Sequence, residues 1–100
     1  MKINSGKVNK QELDLNFVEI SLNNTTLLLL EGYGGFFMCG ALDPAVYKDR
    51  EVICGRALGV KTIDQLLNSK IYEISNYAKK VGLSTDMLVY EAFKKLSNKK

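Results

Sequence analysis

Thr25-Thr26-Leu27-Leu28-Leu29-Leu30-Glu31 is the stretch on which the fold turns. A half-buried strand alternates apolar and polar side chains, whereas four leucines in succession leave no side for water. Such a strand has to be covered on both faces. Asn23-Asn24 supplies turn residues just before it, and upstream Leu13 to Leu22 alternates in two phases. Leu13, Leu15 and Phe17 share one face, then Val18, Ile20 and Leu22 take the other. A period-2 strand that changes phase either carries a bulge or buries different faces in different parts of its length. In a chain of 100 residues the helices suffice to cover one face of a sheet. The other face is therefore expected to meet a second subunit.

Downstream, Gly32, Gly34 and Gly35 around Tyr33 mark a turn, and Phe36 to Cys39 reads as a third strand of a meander. Asp43-Pro44 is a helix start, with a capping carboxylate and proline at the first helical position, running to about Arg50. Glu51 to Leu58 reads as a fourth strand, with Val52, Cys54, Arg56 and Leu58 on one face and Ile53, Gly55 and Ala57 on the other. Thr62-Ile63-Asp64-Gln65 is a capping box that opens a short helix carrying Leu66 and Leu67. Asn68-Ser69 is expected to cap another helix, in which Ile71, Ile74, Ala78 and Val81 repeat at helical spacing until Gly82 stops it. Ser84-Thr85-Asp86 is expected to begin a last helix with Leu88, Val89, Ala92, Phe93 and Leu96 as its buried stripe. Strands come first and helices, over about residues 62–97, come last. This order predicts one α+β domain over residues 1–100, with a mostly antiparallel N-terminal meander, rather than a doubly wound parallel sheet.

Composition narrows the chemistry. The 46% hydrophobic and 25% charged residues are globular proportions. The longest apolar run, Leu27 to Leu30, is far short of a membrane span, and the first residues carry no apolar leader segment. A soluble, cytoplasmic protein is expected. The formal charge of +3 owes much to Lys94, Lys95, Lys99 and Lys100, with only Arg50 and Arg56 as arginines. A basic tail is not a basic groove, so nucleic-acid binding is not expected. The sequence has no histidine, which removes the commonest general base and metal ligand. Two cysteines, Cys39 and Cys54, cannot build a structural zinc site without two further ligands. No metal and no cofactor are expected, and both thiols are expected to be reduced.

The densest run of unusual residues is Cys39-Gly40-Ala41-Leu42-Asp43, then Cys54-Gly55-Arg56-Ala57-Leu58-Gly59-Val60-Lys61-Thr62, closing with Ile63-Asp64-Gln65-Leu66-Leu67. The strings CGALD and GRALGVKTIDQLL resemble those of the YunC-like family, small bacterial and archaeal proteins classed as a domain of unknown function. The likeness spans most of the chain and is strongest from Phe36 to Leu67. What it implies is a two-layer α/β sandwich whose N-terminal β region, about residues 1–40, assembles a homotetramer. It implies no activity.

Read physically, the same residues offer a packing account and a ligand account. Gly40, Gly55 and Gly59 lie where strands meet turns, which suits close backbone approach. The sharper expectation is a positively polarised hollow for a small anion or metabolite. Its candidate lining is Cys39, Gly40, Asp43, Cys54, Gly55, Arg56, Lys61, Thr62 and Asp64. Cys39 is either a small buried hydrophobe or a nucleophile or redox thiol partnered by Arg56. Asp43 and Asp64 each have a sufficient job at a helix start, and Arg56 on a strand must face water, pair with a carboxylate or hold an anion. The expected function is a noncatalytic, self-associating domain with a small anion pocket. The rival is a small enzyme or redox protein using Cys39 with Arg56.

Overall fold

The computed structural model describes residues 1–40 and 50–98. Among these residues six strands form one mixed sheet whose spatial order is the chain order: β1 (Lys2–Lys10), β2 (Leu13–Leu22), β3 (Thr25–Gly32), β4 (Gly35–Cys39), β5 (Ile53–Ala57) and β6 (Glu73–Ile74). Strands β1 to β4 are an antiparallel meander, β5 runs parallel to β4, and β6 returns antiparallel. The described residues also form three helices, α1 (Ile63–Leu67) between β5 and β6, then α2 (Asn76–Lys80) and α3 (Val89–Ser97) after β6. The fold is α+β. The helix read at Asp43 to Arg50 lies outside the described residues.

The phase change in β2 is not a bulge, because its pairing with β3 is continuous from Asn16 opposite Glu31 to Leu22 opposite Thr25. Leu13 and Leu15 are buried beneath the helices together with Leu28 and Leu30. Val18 and Ile20 pair with Leu29 and Leu27, and all four are only half buried on the opposite face. The leucine run is thus shared between two faces. On the covered side, Phe37 meets Phe93 of α3 edge to face, with ring centroids 5.2 Å apart and planes at 77°. Gly55 belongs to this layer because nothing larger fits. A Cβ there would lie 2.6 Å from the Glu73 carbonyl oxygen and 2.9 Å from Ile74.

Residues 1–12 carried no strand signal in the sequence, since Lys2–Lys10 holds only Ile3 and Val8 as large apolar residues. Pairing with β2 along its whole length makes it a strand. Its hairpin turns through Gln11 and Glu12 at φ of 56° and 63°, the left-handed region that favours glycine or asparagine. The fourth strand is shorter than expected, starting at Ile53 rather than Glu51.

The helix expected from Ser69 is replaced by extended chain as far as Ser75. The Tyr72 amide donates to the Arg56 carbonyl at 2.7 Å and the Ser75 amide to the Cys54 carbonyl at 2.8 Å, so pairing with β5 overrides the helical spacing of Ile71 and Ile74. Helix α2 starts only after Ser75, whose buried hydroxyl accepts from the Ala78 amide. Gly82, at φ of 100°, ends it as expected. Helix α3 starts at Val89 rather than near Ser84, because the Val89 amide donates to the Ser69 carbonyl and Leu88 bridges Lys70, which keeps that residue extended. Ser84-Thr85-Asp86 forms a turn instead, closed by the Asp86 amide donating to Ser84 Oγ. The Thr62 cap holds: its Oγ1 accepts from the Gln65 amide at 3.1 Å, while Gln65 Oε1 accepts from Lys61, one residue before the cap.

Candidate functional site

Ligands in open sheets that contain parallel strands gather outside the carboxyl ends of those strands, where the following loops diverge. Here those ends are Cys39-Gly40 after β4 and Leu58 to Lys61 after β5. An open cavity of about 640 Å³ lies there, closed on its third side by Leu22, Asn24, Thr25 and Thr26 of the β2–β3 hairpin. Cys39 contributes its buried floor. The β3–β4 ladder stops at Leu29 opposite Met38, and beyond it the cysteine sulfur takes over. Sγ accepts a hydrogen bond from the Leu28 amide at 3.4 Å and lies 3.9 Å from the Thr26 carbonyl, to which the thiol donates. Gly59 turns the loop at φ of 73°, bringing Val60 and Lys61 to the rim. The Lys61 ammonium forms no ion pair among the described residues.

Arg56 is held elsewhere. In the parallel register Met38 pairs with Arg56 and Cys39 with Ala57, so the arginine leaves the sheet on the face opposite the Cys39 sulfur. Its Nε donates to Glu73 at 2.7 Å, Nη2 pairs with the same carboxylate, and Nη1 donates to the Gly40 carbonyl at 3.0 Å. The guanidinium also lies 5.6 Å from the centre of the Tyr72 ring. Three backbone segments are tied together by one side chain.

A family model described as "Domain of unknown function (DUF1805)" matches residues 38–96, more than half of the sequence. The chain belongs to the DUF1805 family. This DUF1805 chain is 36% identical over 83 residues to the uncharacterized protein YunC of Bacillus subtilis (strain 168), which covers 79% of the chain and 82% of that relative. The crystal structure of a protein of unknown function from Thermoplasma acidophilum superposes with a TM-score of 0.84 at 29% identity, covering 95% of the chain and 93% of that structure. The family match begins at Met38, so it takes in both strand ends and the loop that frame the cavity, while β1, β2 and β3 precede it.

Of the residues expected to form one hollow, the DUF1805 fold brings together Cys39, Gly40 and Lys61. Arg56 and Cys54 project from the other face, and Gly55 is consumed by packing. The two thiols are both free and lie on opposite sides of the sheet. Burial pushes the Cys54 thiol above its ordinary range, against a smaller opposing effect of its hydrogen bond with Ser75. Thr62 and Asp64 line a separate, smaller hollow of about 220 Å³ with Val8 and Phe17, where Asp64 pairs with Lys10. Asp43 lies outside the described residues. Sequence reasoning missed Leu22, Asn24, Thr25 and Thr26 as cavity residues, although Asn23-Asn24 was recognisable as a turn, and it missed Leu58, Gly59 and Val60 beside Lys61. Nothing local says which other strand ends that hairpin tip will face. No group of three or more potential metal ligands occurs among the described residues, and none of their helices is long and apolar enough to cross a membrane.

Proposed function

We propose that this DUF1805 protein is a noncatalytic, self-associating domain that binds a small anion in the cavity beyond β4 and β5. The observation that carries the binding reading is the lining. A cavity of about 640 Å³, in the range of about 300–1,000 Å³ usual for small-molecule sites, is bordered by Lys61 and by the polar side chains of Asn24, Thr25 and Thr26. None of its described lining residues is acidic. Self-association is supported by Val18, Ile20, Leu27 and Leu29, apolar side chains left only half buried among the described residues. In a two-layer arrangement only one sheet face is served by helices, and a second copy offers the same apolar surface to the other. A tetramer is the assembly proposed. Native mass spectrometry of protein taken directly from cells tests both halves: retained mass and a subunit number above one are expected. A bare, folded monomer at micromolar concentration overturns the reading.

A second reading, chemistry at the Cys39 thiol, is favoured by one observation, the amide hydrogen bond that fixes its sulfur at the cavity floor. Its proposed partner Arg56 is engaged across the sheet with Glu73 and Gly40. Thiol titration decides: reaction of native Cys39 no faster than that of an ordinary thiol ends it.

A further inference from the structure

The anion reading of the cavity leaves the ligand's class open, and the lining narrows it. The molecule exposes five large hydrophobic side chains among its described residues, Met1, Ile3, Leu22, Leu58 and Tyr72, and two of them, Leu22 and Leu58, border this one cavity. Val60 adds a third aliphatic side chain, and the buried Cys39 forms the floor. Water-exposed leucines gathered around a hollow mark an apolar contact to be made there. This rim offers an apolar surface to the aliphatic part of a ligand.

Its charged end is also constrained. Phosphate groups are usually held by arginine forks or by free amides at a helix start. Among the described residues neither faces this cavity: Arg56 projects from the opposite face, and Thr62, Ile63 and Asp64 at the start of α1 line the separate hollow beside Val8 and Phe17. Among the described lining residues the one charged side chain is Lys61, with Asn24, Thr25 and Thr26 as the polar ones, and this matches a single negative charge. The cavity is also far larger than an inorganic ion requires.

We infer that the cavity takes a monocarboxylate with an aliphatic body, its carboxylate toward Lys61 and the threonines and its chain against Leu22, Leu58 and Val60. This rests on the small-anion reading above and goes beyond it.

The test is a titration followed by 15N–1H correlation spectra, with acetate, pentanoate, octanoate, pentanol and inorganic phosphate as probes. Saturable shifts are expected at Thr25, Thr26, Gly40 and Gly59, with pentanoate binding at least tenfold more tightly than pentanol or phosphate. Lengthening the chain is expected to tighten binding by up to about fourfold for each methylene buried. Lys61→Gln, at an exposed position, should abolish the preference of pentanoate over pentanol, and Leu58→Ser should weaken octanoate while sparing acetate; the same spectra report whether each variant is folded. Phosphate binding as tightly as pentanoate would overturn the carboxylate inference while leaving the small-anion reading standing. Pentanol binding as well as pentanoate, or no saturable shift with any probe, overturns both.

Discussion

The Cys54 amide donates to Ser75 Oγ at 3.2 Å, and that hydroxyl in turn donates to the Val52 carbonyl at 2.5 Å while accepting from the Ala78 amide at 3.3 Å. One buried hydroxyl thereby caps α2 and closes the start of β5. Ser75→Ala leaves a buried amide and a carbonyl unpaired and removes the cap. A loss of about 2–3 kcal/mol is expected, read as a lower urea midpoint with an unchanged slope.

Cys54 makes stability fall at alkaline pH. Its thiol titrates above the ordinary value of 9.0 in the folded chain because burial disfavours the thiolate. The unfolded chain therefore releases this proton first, so the contribution is complete below pH 9.0 and is lost as pH rises through the higher folded value. Urea midpoints measured from pH 7 to 11 should decline less steeply for Cys54→Ala than for the parent chain. Parallel slopes would mean that the native site tolerates the thiolate.

Gln11 and Glu12 occupy the two left-handed positions of the β1–β2 turn. Asparagine and glycine adopt that geometry with less steric cost. The double substitution Gln11→Asn, Glu12→Gly is expected to stabilise the protein by about 0.5–1 kcal/mol in thermal unfolding. No gain would show that the turn relaxes in solution.

Arg56 is a structural tie rather than a partner of Cys39. Arg56→Ala should cost about 1–2 kcal/mol, since a partly exposed, charge-assisted fork to Glu73 and the Gly40 carbonyl is lost. The alkylation rate of Cys39 under native conditions should not change. A large change in that rate would mean that the guanidinium acts on the thiol through the sheet.

The bare face predicts its own disruption. Leu29→Asp places a charge beside Val18 and Met38, its cross-strand neighbours, on the face opposite Leu28 and Leu30. The parent chain should sediment as an oligomer and the variant as a folded monomer. Equal sedimentation of the two would remove this face from the assembly.

Legibility in the sequence followed the range of the forces involved. Strands β2, β3 and β4 were readable because alternation, the leucine run and the glycine turn are local signals. The Thr62 cap and the Gly82 stop were readable for the same reason. Strand β1 was not, because a segment such as Lys-Ile-Asn-Ser-Gly-Lys-Val-Asn-Lys becomes a strand only when β2 supplies its hydrogen bonds. The chain from Ile71 to Ile74 misled for the opposite reason: its helical spacing is real, yet the exposed edge of β5 claims its amides. In the site, adjacency of β4 and β5 was expected and occurs, but a register of one residue decides which face a side chain takes. That single step separated Arg56 from Cys39 and put Ala57 beside the thiol instead.

Because the strands follow one another in space as they do in sequence, the sheet has two open margins. One is β1, studded with Lys2, Lys7 and Lys10; the other is β6, only two residues long. Lysines and brevity both discourage a further strand from docking there. Edge-to-edge growth is thereby disfavoured, and the broadside contact proposed above, when isologous, closes on a finite number of copies instead of propagating into fibres.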